Sequence, residues 1–191
     1  KKVQDSWFKF DHYYSDLVFP LVMPLIFADQ PKHLLDIGGN TGKFSIKAAQ
    51  YNSDVKITIL DLPGQLNVAY QNIEDANLSD RIDGFPIDLL DPNNQYPNGV
   101  DAIWMSQFLD CFSEEEIKHL LSRAFDALIP GGILYINETY WDRQKYIASS
   151  YSLNMTSLYF TAMANGNSRM YHSEDMLRLV KSVGFEIAEV I

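Results

Sequence analysis

Apolar residues in this chain come in two alternating arrangements: short, nearly continuous runs that end in a polar side chain, and longer stretches where apolar residues recur every three or four positions. The first suits strands of a parallel sheet buried on both faces, and the second suits helices laid against those faces. Leu34–Ile37, Val55–Asp61, Arg81–Asp88, Gly99–Ser106 and Ile133–Glu138 read as strands, and Glu186–Ile191 as a sixth at the end of the chain. Gly42–Gln50, Gln65–Ala76 and Ser113–Phe125 read as the intervening helices. Ser113 and Glu116 have capping-box spacing, and Ile117, Leu120, Leu121, Ala124 and Leu128 share one face, which leaves Lys118 and His119 toward solvent. Pro130-Gly131-Gly132 is the turn into the fifth strand. Ser149–Ala164 is a further helix, and a last one precedes Gly184-Phe185. Strand–helix alternation of this kind predicts an α/β fold with a doubly wound, mostly parallel sheet.

Ahead of the first strand, residues 1–29 read as a helical lead-in, with residues 30–191 as the sheet domain. Between Asp5 and Phe27 the segment is dense in aromatics (Trp7, Phe8, Phe10, Tyr13, Tyr14), and Pro20 and Pro24 predict a break near them. His12 sits in this segment. It serves either as a hydrogen-bonded packing residue or, if the segment covers a ligand, as a spare base. The opening Lys1-Lys2-Val3, with no initiating Met, suggests a fragment excised from a longer protein.

Composition narrows the function classes. The chain has 191 residues, 47% of them hydrophobic, enough for one good core. A formal charge of −10 and the lack of a Lys/Arg cluster argue against nucleic acid as a partner. The single cysteine, Cys111, excludes an internal disulfide framework and fits a reducing, cytoplasmic setting. The most apolar stretch, Leu17 to Ala28, is short and interrupted by prolines, so no membrane span is expected. No metal-ligand pattern stands out.

The chemistry concentrates where the strands end. Leu34-Leu35-Asp36-Ile37-Gly38-Gly39-Asn40-Thr41-Gly42 is an apolar run that meets an acid, turns on glycines and enters a helix. Gly38, Gly39 and Gly42 let backbone approach a ligand, and the helix directs its positive N-terminal end there. Asn40 stands where a dinucleotide fingerprint has glycine, and it tolerates left-handed dihedrals. Asp36 beside the turn favours a cofactor carrying positive charge, S-adenosylmethionine, over an anionic pyrophosphate. An ordinary ligand-free αβ turn is the plainer alternative. Asp61 lies about twenty residues beyond the glycines, where a ribose-binding carboxylate belongs, although Asp before Leu62-Pro63-Gly64 is also a good turn former. Asp88 and Leu89 could meet an adenine amino group and ring face. Asp36, Asp61, Asp88, Asp110 and Glu138 all fall at strand exits, which in a doubly wound sheet line one crevice.

These motifs, with Pro130-Gly131-Gly132, Asn165-Gly166-Asn167-Ser168-Arg169 and Gly184-Phe185, resemble the catalytic domain of the plant-type, acetylserotonin-type small-molecule O-methyltransferases over most of the chain. The resemblance implies that Gly38 and its neighbours hold the methionyl part of S-adenosylmethionine, Asp61 and Leu62 the ribose and adenine edge, Asp88 and Leu89 the adenine, with Phe112 covering the adenine side where the family has Trp. It also implies a small-molecule acceptor, a homodimer in the full-length protein, and an acceptor pocket walled by the helix carrying Met155, Tyr159 and Met163, a helix whose plainer reading is core packing. Sheets of this type close with a hairpin whose seventh strand inserts beside the fifth, and no sequence remains after Ile191 to make it. Three departures bear on catalysis. Ser106 stands where the family has a lysine near the cofactor, Leu109-Asp110-Cys111-Phe112 where it has Leu-His-Asp-Trp with the histidine as base, and Ser168 where the second of two orienting acids falls. Glu138 matches the first acid. Asp110, Glu138 and His12 are therefore the candidate catalytic residues, with His12 or an Asp110 raised by burial beside Glu138 as the proton acceptor. The expected activity is methylation of an oxygen, less readily a nitrogen, on a small aromatic or apolar molecule. A cofactor-binding domain without methyl transfer is the alternative, and a nicotinamide-dependent oxidoreductase a more distant one.

Overall fold

The structure is a computed structural model that describes residues 17–163 and 166–191. Its centre is a sheet of five strands, β1 (His33–Ile37), β2 (Lys56–Asp61), β3 (Ile82–Pro86), β4 (Val100–Ser106) and β5 (Leu128–Asn137), in the order β3-β2-β1-β4-β5. Every neighbouring pair is parallel. The winding reverses between β1 and β4, so the exits of these two strands open the crevice that such a switch point creates.

Helices cover both faces. Alternation along β1 sends Leu34 to one side, where it packs with α1 (residues 17–26), α2 (Lys43–Tyr51) and α3 (Pro63–Asp75), and sends Leu35 and Ile37 to the other. There α4 (Glu114–Ala127) contributes Ile117, Leu120, Leu121 and Ala124, and α6 (Ser173–Ser182) contributes Met176, Leu179 and Val180. The capping box at α4 forms as its spacing predicts: Ser113 Oγ accepts the Glu116 amide, and Glu116 Oε2 accepts the Ser113 amide at 2.7 Å.

Three expectations are corrected. Residues 17–26 run as one helix through Pro20 and Pro24. Phe19, Met23 and Ile26, spaced to share a face, are buried with Phe44 and Trp104, while both prolines face solvent, where lost backbone bonds are least costly. Residues 186–191 form no strand, so the described sheet ends at β5. Finally, β5 begins before the Pro-Gly-Gly turn, at Leu128, and absorbs it as an irregularity: Leu128 pairs with Val100, but the next partner of β4, Ala102, faces Ile133.

Candidate active site

The glycine turn leaves β1 with Gly38 at φ 74°, Asn40 at 52° and Gly42 at 74°, all in the left-handed region. Gly38 N donates to Leu60 O at 2.9 Å, and Gly42 N closes the turn onto Gly39 O at 2.9 Å. A β-carbon on Gly38 would run into the ring of Phe108 from the β4 exit. Gly39 is required from below: a β-carbon there would lie 2.7 Å from both Asp36 Oδ2 and Ile59 Cγ2. The turn is therefore packed tightly both against Phe108 of the β4 exit and against the strand floor.

Asp36 lies under this turn, at 2% exposure on the α2 face of the sheet, where Ser45 Oγ donates to its Oδ2 at 2.6 Å. Burial pushes its carboxyl up to about 7, with the nearby Asp61 charge adding to the rise and Ser45 opposing it. Asp61 closes the β2 exit. Its Oδ2 accepts the Asn40 amide at 2.8 Å and its Oδ1 accepts the Leu62 amide at 2.7 Å, so the carboxylate ties the glycine turn to the start of α3. Burial raises its pKa, and the two amides offset part of the rise. Each oxygen retains lone-pair capacity for a further donor. The Leu62 side chain is exposed.

The β4 and β5 exits mirror this arrangement. Gln107 takes a left-handed φ of 49° and donates its amide to Asn137 O at 2.9 Å, and Asn137 Nδ2 donates to Ser106 Oγ at 2.9 Å. Glu138 Oε1 then accepts two successive amides, Phe108 at 2.8 Å and Leu109 at 2.7 Å. Its Oε2 is buried with no partner among the described residues. Burial, reinforced by the Asp110 charge, holds the Glu138 carboxyl well above the usual range despite these two amides. Asp110 sits half-buried in a short 3-10 turn, Leu109–Cys111, where its carbonyl accepts the Arg169 amide at 2.8 Å. Phe112 meets Phe108 edge-to-face, ring centres 4.8 Å apart.

At the third exit Asp88 is exposed, its Oδ1 accepting the Leu90 amide at 2.9 Å, whereas Leu89 is buried in the core. α5 (Ile147–Met163) buries none of its residues: Met155 is 44% exposed, Tyr159 62% and Met163 72%. The plainer reading of that helix as core packing is thereby overturned. His12 lies outside the described residues. Among the described residues no cluster of His, Cys, Asp or Glu is placed to hold a metal ion, and no helix is long and apolar enough to cross a membrane. Two contributors escaped the sequence. Ser45, nine residues after Asp36, reaches it only because α2 packs back on β1. Arg123, one residue before Ala124 of the apolar face of α4, is buried among backbone carbonyls.

Comparison with known proteins places the fold in a family. The profile of the O-methyltransferase domain family matches residues 21–186. Among curated relatives, an L-tyrosine C(3)-methyltransferase from Streptomyces lavendulae is 29% identical over 71% of this chain and 36% of its own length. A 3-hydroxy-5-methyl-1-naphthoate 3-O-methyltransferase from Streptomyces sahachiroi is 30% identical over 60% of this chain and 32% of its own. This chain thus spans about a third of the length of the curated relatives it matches. The solved structure of the S-adenosylmethionine-dependent methyltransferase SibL in its apo form superposes with a TM-score of 0.78 at 26% identity, covering 94% of this chain and 51% of that one. With a family profile spanning most of its length and a five-stranded parallel sheet whose switch point carries the glycine turn, the chain belongs to the O-methyltransferase domain family.

Proposed function

We propose that the protein binds S-adenosylmethionine in the crevice between the β1 and β4 exits and transfers its methyl group to an oxygen of a small aromatic or apolar molecule. The observation that carries this reading is the Asp61 carboxylate: at the β2 exit it fixes the Asn40 amide of the glycine turn at 2.8 Å and keeps acceptor capacity for a further donor. That capacity fits a ribose diol, whose two hydroxyls need acceptors side by side. Gly38, Gly39, Asn40 and Gly42 would hold the methionyl part, Asp61 and Leu62 the ribose edge, Asp88 the adenine amino group, and Phe112 the adenine side. Asp36 would act from beneath the turn, setting its shape through Ser45 and Gly39. Ser106, tied to Asn137, stands at the lysine position of the resembling family.

The cofactor supplies an electrophilic methyl group on a sulfonium centre. The chain's residues then have two tasks: to align an acceptor with that carbon, where positioning alone supplies much of the rate, and to receive a proton if the acceptor is a hydroxyl. Asp110 would be the acceptor for this proton, and the Glu138 bonds to the Phe108 and Leu109 amides, which hold its segment, support that reading. His12 is the second candidate. A carboxylate acceptor releases no proton and needs neither. Met155, Tyr159 and Met163 would wall the acceptor site in the full-length protein, a cytoplasmic homodimer in which residues 1–29 lead in from a further domain.

A second reading, cofactor binding without methyl transfer, draws support from Asp110 at the position of the family's basic histidine and Ser168 at that of its second acid. Calorimetry with S-adenosylmethionine, S-adenosylhomocysteine and NAD, followed by a turnover screen over phenols and aromatic carboxylic acids, decides between them. Binding of the first two but not NAD, with product from at least one acceptor, is the expected result. Binding without product across the screen supports the second reading, and binding of NAD alone overturns both.

A further inference from the structure

Arg123 is 8% exposed and sits in the C-terminal half of α4. Its guanidinium donates to three carbonyls of the loop after β3: Leu89 O, Asp91 O and Asn94 O, the last two at 3.1 Å each. Its Nε also donates to His119 O at 3.3 Å, and its head lies over the Tyr96 ring, 4.8 Å from the centre. A buried cation satisfied by neutral carbonyls and an aromatic face is an unusual use of charge, since burying it carries a large desolvation cost. The result is a loop whose carbonyls converge inward on one planar group. The same loop turns Asp88 outward: Asp88 Oδ1 caps the Leu90 amide at 2.9 Å, and Asn94 Nδ2 donates to Asp88 O at 3.0 Å.

We propose that Arg123 is a positioning residue for the adenine end of the cofactor site, setting the 88–94 loop so that Asp88 stands at the crevice. This rests on the S-adenosylmethionine reading above. A lysine in its place keeps the charge but cannot satisfy several carbonyls with a planar fork, so R123K should leave a folded protein with a misplaced loop.

The test is S-adenosylhomocysteine binding by calorimetry to wild type, R123K, D88A and the double variant, well below each melting temperature. R123K should bind about tenfold more weakly, and D88A should weaken wild type by a similar factor yet change R123K less than about twofold, because two residues acting through one contact do not add. A role in stability alone would lower the melting temperature and leave the binding constants and their coupling unmoved. If R123K does not fold, Y96L, which removes the ring beneath the guanidinium and leaves its charge, carries the same comparison with D88A. Wild-type affinity in R123K, or fully multiplicative losses in the double variant, overturns the role of Arg123 while the cofactor reading stands. Failure of the wild-type protein to bind overturns the cofactor reading itself, and this inference with it.

Discussion

Glu138 at the end of β5 accepts the amide of Phe108 at the end of β4 at 2.8 Å, in the same way that Asp61 at the end of β2 accepts the amide of Asn40 beyond β1 at 2.8 Å. On each side of the switch point, the outer strand supplies a carboxylate that pins the backbone leaving the inner strand. The crevice is thus framed by two carboxylate clamps, only one of which, Asp61, faces the proposed ribose.

The Glu138 clamp should be separable from its charge. E138A strands the Phe108 and Leu109 amides and should cost about 2–4 kcal/mol in urea denaturation, since each unmet buried donor costs about 1–3 kcal/mol. E138Q keeps an acceptor oxygen and removes the repulsion with Asp110, so it should lie within about 1 kcal/mol of wild type. Equal losses for both variants would remove the clamp from the account.

For Asp61 the readout is ligand affinity. D61A should weaken S-adenosylhomocysteine binding by about 1.5–3 kcal/mol, the scale of charge-assisted bonds lost from a partly buried site. An unchanged dissociation constant would move the ribose elsewhere.

Asp36 makes stability depend on pH with a definite sign. Its pKa rises from 3.8 to about 7 in the folded protein, so between those values the native state holds a proton that the unfolded chain has released. Its contribution is most favourable below pH 4, declines as pH rises toward 7 and is flat above. D36N cannot titrate, so its stability relative to wild type should improve across that window. Denaturation of both proteins at pH 5, 6, 7 and 8 tests this, and a difference that stays constant with pH would contradict the burial assigned to Asp36.

Gly38 carries two constraints at once. G38A meets the Phe108 ring and must also hold φ at 74°, a conformation that costs a residue with a β-carbon about 1–2 kcal/mol. G38A should therefore lose more than that amount, and F108A in the same background should recover only the steric part. Additive losses in a melting series would place the ring elsewhere.

The proton can be followed through pH profiles. If Asp110 is the base, D110N should reduce turnover of a phenolic acceptor by about a hundredfold to ten-thousandfold and abolish the acidic limb. H12Q gives the same comparison for His12. Small losses for both, with methylation of a carboxylic acid intact, would show that the reaction proceeds by positioning.

The inner strands β1, β2 and β4 were legible in the sequence because strands covered on both faces are mostly apolar, and the glycine turn because only residues tolerant of left-handed dihedrals can occupy φ near 74° and 52° at Gly38, Asn40 and Gly42. The recurrence of acids at the exits located the crevice for the same reason: every parallel strand of the sheet ends at one edge. Proline signals misled at Pro20 and Pro24, since burial of Phe19, Met23 and Ile26 outweighs a local preference that sequence shows without its competitor. How each carboxylate is held was decided by tertiary structure alone. Asp36, Asp61 and Glu138 look alike along the chain, yet Ser45 and the glycine turn enclose the first, the Asn40 and Leu62 amides orient the second, and the third is buried under the β4 exit. Arg123 shows the same limit: a charge beside an apolar helical stripe reads as solvated until the loop after β3 folds its carbonyls over it.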